Sequence, residues 1–235
     1  MKSDIAPVQS VRRNQLRSSN SMPYQNRVDP FGKIQAVEPR GAWMGNRGVL
    51  VNEARQLAGQ WRLKRWITCV LSFKNRWRPV FTPRRYTELF FLDEATSFAA
   101  GHRPCAECRR ERYNEFRLAW SKSNRPLSNG KLLKADEMDE YLHVQRVSLD
   151  GTKVSYESQL GELPAGTFVN RGGLAHLVWN NQLLPWSFAG YKAPVSNVPL
   201  SEMMQVLTPV SIVNMFGSGF VPQVHESATN KAAAI

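Results

Sequence analysis

The chain has 235 residues, 42% hydrophobic and 21% charged, and a net charge of +12 at neutral pH. That length can bury one or two packed cores, and no apolar run approaches the ~18 residues of a membrane-spanning helix. The polar stretch Met1–Asn20 lacks the apolar segment of a secretory signal, and three cysteines argue against a disulfide framework and for reducing, cytoplasmic surroundings.

The charge is unevenly placed. Residues 33–134 hold 21 Lys and Arg against 8 Asp and Glu, whereas residues from Asp136 onward hold 5 against 9. The basic block contains all three cysteines. Such a block is the electrostatic footprint of a polyanion binder, with a solvated basic surface as the plainer alternative.

Taken in order, residues 1–32 are rich in Ser, Asn, Gln, Arg and Pro without apolar periodicity and read as a disordered tail. Gly45-Asn46-Arg47-Gly48 reads as a turn; its glycines could let backbone approach a phosphate beside Arg47, although a plain loop fits as well. Residues 52–61 have helical character. Trp66–Phe73 reads as a strand, Lys74-Asn75-Arg76 as a turn, Trp77–Phe81 as a returning edge strand marked by Pro79, and Tyr86–Leu92 as a third strand.

The next segment organises the chain. Asp93 can cap a short helix that Gly101 ends, and Pro104 leads into the knuckle Cys105-Ala106-Glu107-Cys108. Arg109–Lys122 is an amphipathic helix, with Tyr113, Phe116 and Trp120 at i, i+3 and i+7 as its core stripe. Arg110 and Arg117 lie on its polar face. Ser123–Asn129 reads as a linker and Ala135–His143 as a short acidic helix.

Beyond it, Val144–Leu149 and Thr152–Tyr156 flank an Asp150-Gly151 turn. Thr167–Val169, Gly173–Trp179, an Asn180-Asn181 turn and Gln182–Trp186 continue the β pattern. Met203–Leu207 is followed by Thr208-Pro209 as cap and first position of a helix over Val210–Phe216. The aromatics of Pro185–Tyr191 read as a plug for a small β-barrel, or as a stacking or peptide-gripping loop.

Two cysteines two residues apart supply half of a tetrahedral zinc site. Cys69 is the remaining thiol, either a third ligand or a small buried hydrophobe. His143 ranks first as fourth ligand and His102 second, with a carboxylate or water also open; an open position would point to catalysis. Arg103, Arg109, Arg110 and Arg112 flank the pair and would stabilise thiolates. Glu88 and Glu107 could serve as acid or base, or form salt bridges. Lys64, Arg65, Arg76, Arg78, Arg84, Arg85, Arg110 and Arg117 are the candidate phosphate contacts. The chain contains no phosphate-binding loop, dinucleotide fingerprint or zinc-protease motif.

The run Asp93-Glu94-Ala95…Ala99-Ala100-Gly101-His102-Arg103-Pro104-Cys105-x-x-Cys108 resembles the second half of the Ada-type metal-binding module of methylphosphotriester repair proteins. The resemblance covers about 16 residues strictly, and about 45 with Cys69 and its strand. It implies two zinc thiolates from the knuckle and a module that rests on DNA through basic residues. The family's first half carries two cysteines four positions apart, one of which accepts the methyl group. Here the residue four beyond Cys69 is Phe73, so a four-cysteine site is impossible.

The resulting expectation is an α+β protein. Residues 33–134 would form a basic zinc domain, a small three-stranded sheet with helices and a zinc knuckle. Residues 136–226 would form a β-rich second domain, and 227–235 a disordered tail. Its function would be a structural zinc site, one ion per chain, beside a surface that contacts nucleic acid, DNA foremost. The alternatives are an enzyme, with Cys69 as alkyl acceptor or an open zinc position for hydrolysis, and an adaptor that binds a protein partner through the C-terminal part.

Overall fold

The computed structural model describes residues 22–229, an α+β arrangement of two six-stranded sheets and six α-helices among the described residues. The first sheet takes β1 (Gln25–Val28), β2 (Ile34–Ala36), β3 (Trp43–Asn46), β4 (Ile67–Cys69), β5 (Leu89–Phe91) and β6 (Arg103–Pro104) in the order β2-β1-β5-β3-β4-β6. It is mixed: β1 runs parallel to β5 and β4 parallel to β6, the other pairs being antiparallel. The helices α1 (Glu94–Ala99), α2 (Arg110–Ser123), α3 (Arg125–Ser128) and α4 (Ala135–Arg146) follow or interrupt it.

The second sheet is antiparallel throughout. It comprises β7 (Tyr156–Gln159), β8 (Phe168–Arg171), β9 (Leu174–Trp179), β10 (Gln182–Ser187), β11 (Gly190–Tyr191) and β12 (Met203–Val206), ordered β11-β10-β9-β8-β12-β7. Asn180 and Asn181 both take positive φ, the geometry of a two-residue hairpin turn, and set Gln182 opposite Trp179. Helices α5 (Val210–Gly217) and α6 (Glu226–Thr229) complete the described chain. No described helix is long and apolar enough to cross a membrane.

Helix α1 lies at the centre, with all six residues buried. Its N-terminus is capped as the sequence suggests: Asp93 Oδ1 accepts from the Thr96 amide at 2.8 Å and from Thr96 Oγ1 at 2.7 Å. Gly101 follows with φ +86, and a Cβ there would lie 2.4 Å from Arg146 Cδ, so glycine is needed for both turn and space. Phe98 joins α2, α4 and α5 in one core cluster, while Ala95 and Ala99 join strands of the second sheet in another. The hydrophobic core therefore does not divide near residue 135; one helix serves both halves.

Several sequence expectations are corrected here. The three-stranded sheet is six-stranded, because β1 and β2 pair with it and β3 separates β4 from β5. Strand β1 falls inside the stretch 1–32 assigned to a tail, its Asn26 and Val28 side chains buried among polar neighbours that mask so short a strand. Residues 1–21 and 230–235 lie outside the described residues; within the expected C-terminal tail, Ala228 of α6 is buried. Residues 52–61 are not helical: Asn52 Oδ1 accepts from the Gln56 amide and Val51 bridges Leu57, a local turn that competes with helix. Trp77–Phe81 forms no strand, and α4 continues to Arg146 through the expected strand start. The Pro185–Tyr191 aromatics pack inward, Trp186 Nε1 donating to Thr96 Oγ1 at 3.0 Å. Pro209 is the N-cap of α5, and Thr208 Oγ1 instead accepts from the Phe168 amide.

Buried charge holds these layers together. Glu94 accepts from Arg109 at 2.5 Å, Arg112 at 2.7 Å and the Gln223 amide at 2.9 Å. Arg103 grips Asp139 of α4 through two parallel hydrogen bonds at 2.9 and 2.7 Å, with both side chains nearly inaccessible. Arg47 and Arg146 place their guanidinium carbons 4.0 and 4.1 Å from the Trp66 ring centroid. Burial pushes both guanidinium groups down to about 9, which leaves them charged at neutral pH.

Lys153 donates to the Ala99 carbonyl at 2.5 Å. Burial of its ammonium, followed by repulsion from Arg47 and Arg146 against attraction from Asp29, pushes its pKa down to about 7. Between about pH 7.5 and 9 the unfolded chain then binds a proton at Lys153 that the folded chain has released. Unfolding free energy should rise with pH over that window, by up to ~1.4 kcal/mol per unit. Urea titrations at several pH values should show this slope, and Lys153→Met should reduce it, most clearly below the range in which Arg47 and Arg146 begin to release protons.

Candidate metal centre

The knuckle is built from α1 outward. Gly101 reverses the chain into β6, which pairs with β4 as Ile67 opposite Arg103 and Thr68 opposite Pro104. The Cys105 amide extends this ladder by donating to the Thr68 carbonyl at 2.9 Å. Cys69, the next residue of β4, is thereby set beside the knuckle. The Sγ atoms of Cys69, Cys105 and Cys108 all lie within 4.8 Å of one another. All three are free thiols; Cys69 and Cys105 are buried and Cys108 is partly exposed.

The sulfurs share protons unevenly. Cys105 is pushed far down because it accepts from Cys108 and Cys69, and the Glu107 amide at 3.4 Å also donates to it. Cys69 is pushed up, chiefly by its interaction with Cys105 and then with Cys108, and Cys108 is pushed up chiefly by Cys105, against a lowering by Cys69. A cation bound by all three sulfurs would take them as thiolates and release their protons.

The donor set fits a metal ion. Tetrahedral zinc with Zn–S bonds of about 2.3 Å sets its sulfurs about 3.8 Å apart, so the observed spacing requires a contraction of about 1 Å at most. Three soft sulfurs suit zinc, and also iron or copper(I), over magnesium or calcium.

The expected fourth ligand is not in this group. His143 lies on α4 with its ring edge-on to Trp61 at 4.6 Å and to Trp66 at 6.4 Å, and Nδ1 is 3.4 Å from Arg146 Nη2. Its pKa is lowered by burial first and by Arg146 and Lys64 next. His102 is fully buried, packed on Phe91 and Trp66, and its Nε2 accepts from Arg47 Nε at 3.3 Å. Among the described residues, no histidine or carboxylate joins the three sulfurs.

The candidate phosphate contacts separate into two kinds. Arg65, Arg85 and Arg110 are exposed. Lys64, Arg76 and Arg84 form surface pairs with Glu140, Glu107 and Glu53, which are weak and easily opened. Two belong to the scaffold instead: Arg78 pairs with buried Glu88 and lies 3.8 Å from the Tyr86 centroid, and Arg117 donates to the Leu132 and Leu133 carbonyls. Arg47 of the glycine turn is likewise buried, donating to the Gly32 carbonyl at 3.0 Å, so that turn presents no arginine to a phosphate.

Sequence reasoning missed the buried arginines. The run Arg103-Pro104 after Gly101, with acidic Asp139 on the apolar side of α4, was the available signal. Compared with known proteins, the chain matches no family model, no curated protein and no solved structure.

Purified protein should carry one metal ion per chain by elemental analysis. Cys69→Ser and Cys108→Ser should each lose it, while His143→Ala should retain it. Loss of the ion in His143→Ala alone would return that histidine to the ligand set.

Proposed function

We propose that this is a zinc protein whose ion is structural, held by Cys69, Cys105 and Cys108, and whose basic face contacts nucleic acid. The convergence of the three sulfurs carries the zinc reading. The ligands come from the end of β4 and from the turn into α2, so an ion there would cross-link residues 36 apart in the chain. By analogy with a covalent cross-link closing a loop of that length, the tie is worth up to about 4 kcal/mol. The likeness of the knuckle to the Ada-type module supports the same reading. Methyl transfer is not part of it: Cys69 is buried and no second thiol stands four residues beyond it.

Exposed Arg65, Arg85 and Arg110, with the weakly paired Lys64, Arg76 and Arg84, support polyanion contact. Zinc content lost on chelation, together with a lower urea midpoint, tests the structural role. A midpoint unmoved by chelation would overturn it. For the basic face, log affinity for DNA should fall linearly with log salt, at a slope of about −0.9 per phosphate contact for duplex.

The three-sulfur set favours a second reading, an ion with one position open to water, as in catalytic zinc centres. Cobalt(II)-substituted protein separates the two. An absorption spectrum that shifts when azide is added would mark an open position, and an unchanged spectrum would mark a closed one.

A further inference from the structure

The segment between β4 and β5 replaces the expected hairpin with a loop of distinctive chemistry. From Phe73 to Tyr86 it carries five basic side chains, Lys74, Arg76, Arg78, Arg84 and Arg85, and no acidic one. It is pinned from beneath. Phe81 is buried, its amide donates to Glu88 Oε2 at 3.1 Å, and Arg78 closes on the same carboxylate. Arg76 reaches Glu107 of the knuckle at 2.8 Å. Lys74, Asn75, Phe81 and Arg84 all take left-handed φ, between +52 and +62, which bulky side chains adopt only under constraint.

Trp77 sits between these anchors, 85% exposed. Its aromatic neighbours are already faced by cations, Phe73 by Lys74 and Arg76, and Tyr86 by Arg78. Among the described residues, Trp77 has neither a ring partner nor a cation partner. The loop thus presents one bare indole, with cations as both its chain neighbours and three more within the same segment.

We propose that this loop is a stacking platform for single-stranded nucleic acid, with a base on Trp77 and the flanking phosphates on Lys74, Arg84 and Arg85. The inference rests on the nucleic-acid reading above and specifies its partner. An unpaired base offers a whole face to an indole, whereas a duplex presents base edges and phosphates. A lone indole among cations also lacks the broad apolar face with which an interfacial helix enters a bilayer. Among the described residues Arg84 is held by the exposed pair with Glu53 alone, so a phosphate can displace that partner.

The test uses the full-length, zinc-loaded protein and fluorescence anisotropy. Probes are an end-labelled oligothymidylate of about 12 nucleotides and a duplex of equal length, over roughly 50 to 200 mM salt. The single strand should bind more tightly than the duplex. Trp77→Ala, at an exposed site that leaves folding intact by circular dichroism, should weaken the single strand about tenfold without changing the salt slope. Trp77→Phe should recover most of that loss. Arg84→Ala with Arg85→Ala should make the single-strand slope shallower by about 0.7 per lost contact.

Nucleic-acid binding indifferent to Trp77→Ala would overturn the platform and leave the polyanion reading standing. Absence of binding to both probes would overturn both. If anionic phospholipid vesicles capture the protein in a Trp77-dependent way while neither probe binds, the loop is a membrane contact and the proposal fails.

Discussion

The fold depends on two adjacent buried carboxylates at the start of α1. Asp93 caps its own helix with one oxygen and uses the other to accept from Tyr191 Oη at 2.6 Å and from the His225 amide at 3.0 Å. Glu94 gathers Arg109, Arg112 and the Gln223 amide. A carboxylate removed from water is costly unless its lone pairs are filled. Here they are filled by groups from α2, β11 and the segment before α6. Burial raises the pKa values of Asp93 and Tyr191 alike. With the helix start fixed, Gly101 delivers β6 to β4, and the cysteines meet as a consequence of that strand pairing.

The three-cysteine cluster and the charged groups around it follow one rule. The three sulfurs are gathered at the knuckle, and Arg103, two residues before Cys105, is neutralised by Asp139. Around Trp66, Arg47 and Arg146 are compensated chiefly by carbonyl oxygens and the indole ring. Among the described residues, Arg47, Arg103, Arg109 and Arg146 of the 31 basic side chains are buried and serve the interior. The cations left for a partner are fewer than the composition implies, and several belong to the loop that carries Trp77.

What could be read in advance was local. The Asp93 cap, the Gly101 stop, the aromatic stripe of α2 and the Asn-Asn hairpin are each decided within a few residues, and the structure contains all of them. The association of Cys69 with the knuckle is one of two readings for a cysteine expected inside a strand over 66–73; the β4–β6 pairing decides it. What could not be read depends on partners distant in sequence. The parallel pairings β1–β5 and β4–β6 leave no local trace, and β1 is four residues long. An arginine destined for burial, such as Arg47 or Arg146, looks the same in a sequence as one destined for solvent. His143 fitted as a ligand by spacing, yet the turn of α4 gives it to Trp61 and Trp66 instead.

The way residues 223–228 close over α1 bears on how the chain acquires its structure. A polypeptide made from its N-terminus exposes the apolar Ala95, Phe98 and Ala99 well over a hundred residues before Gln223 and His225 can reach Asp93 and Glu94. Such distant contacts slow folding and leave hydrophobic surface open in the interval. The knuckle and β4 are both complete by residue 108. An ion bound at that stage would hold the nascent first sheet in register while its central helix waits for the rest of its core.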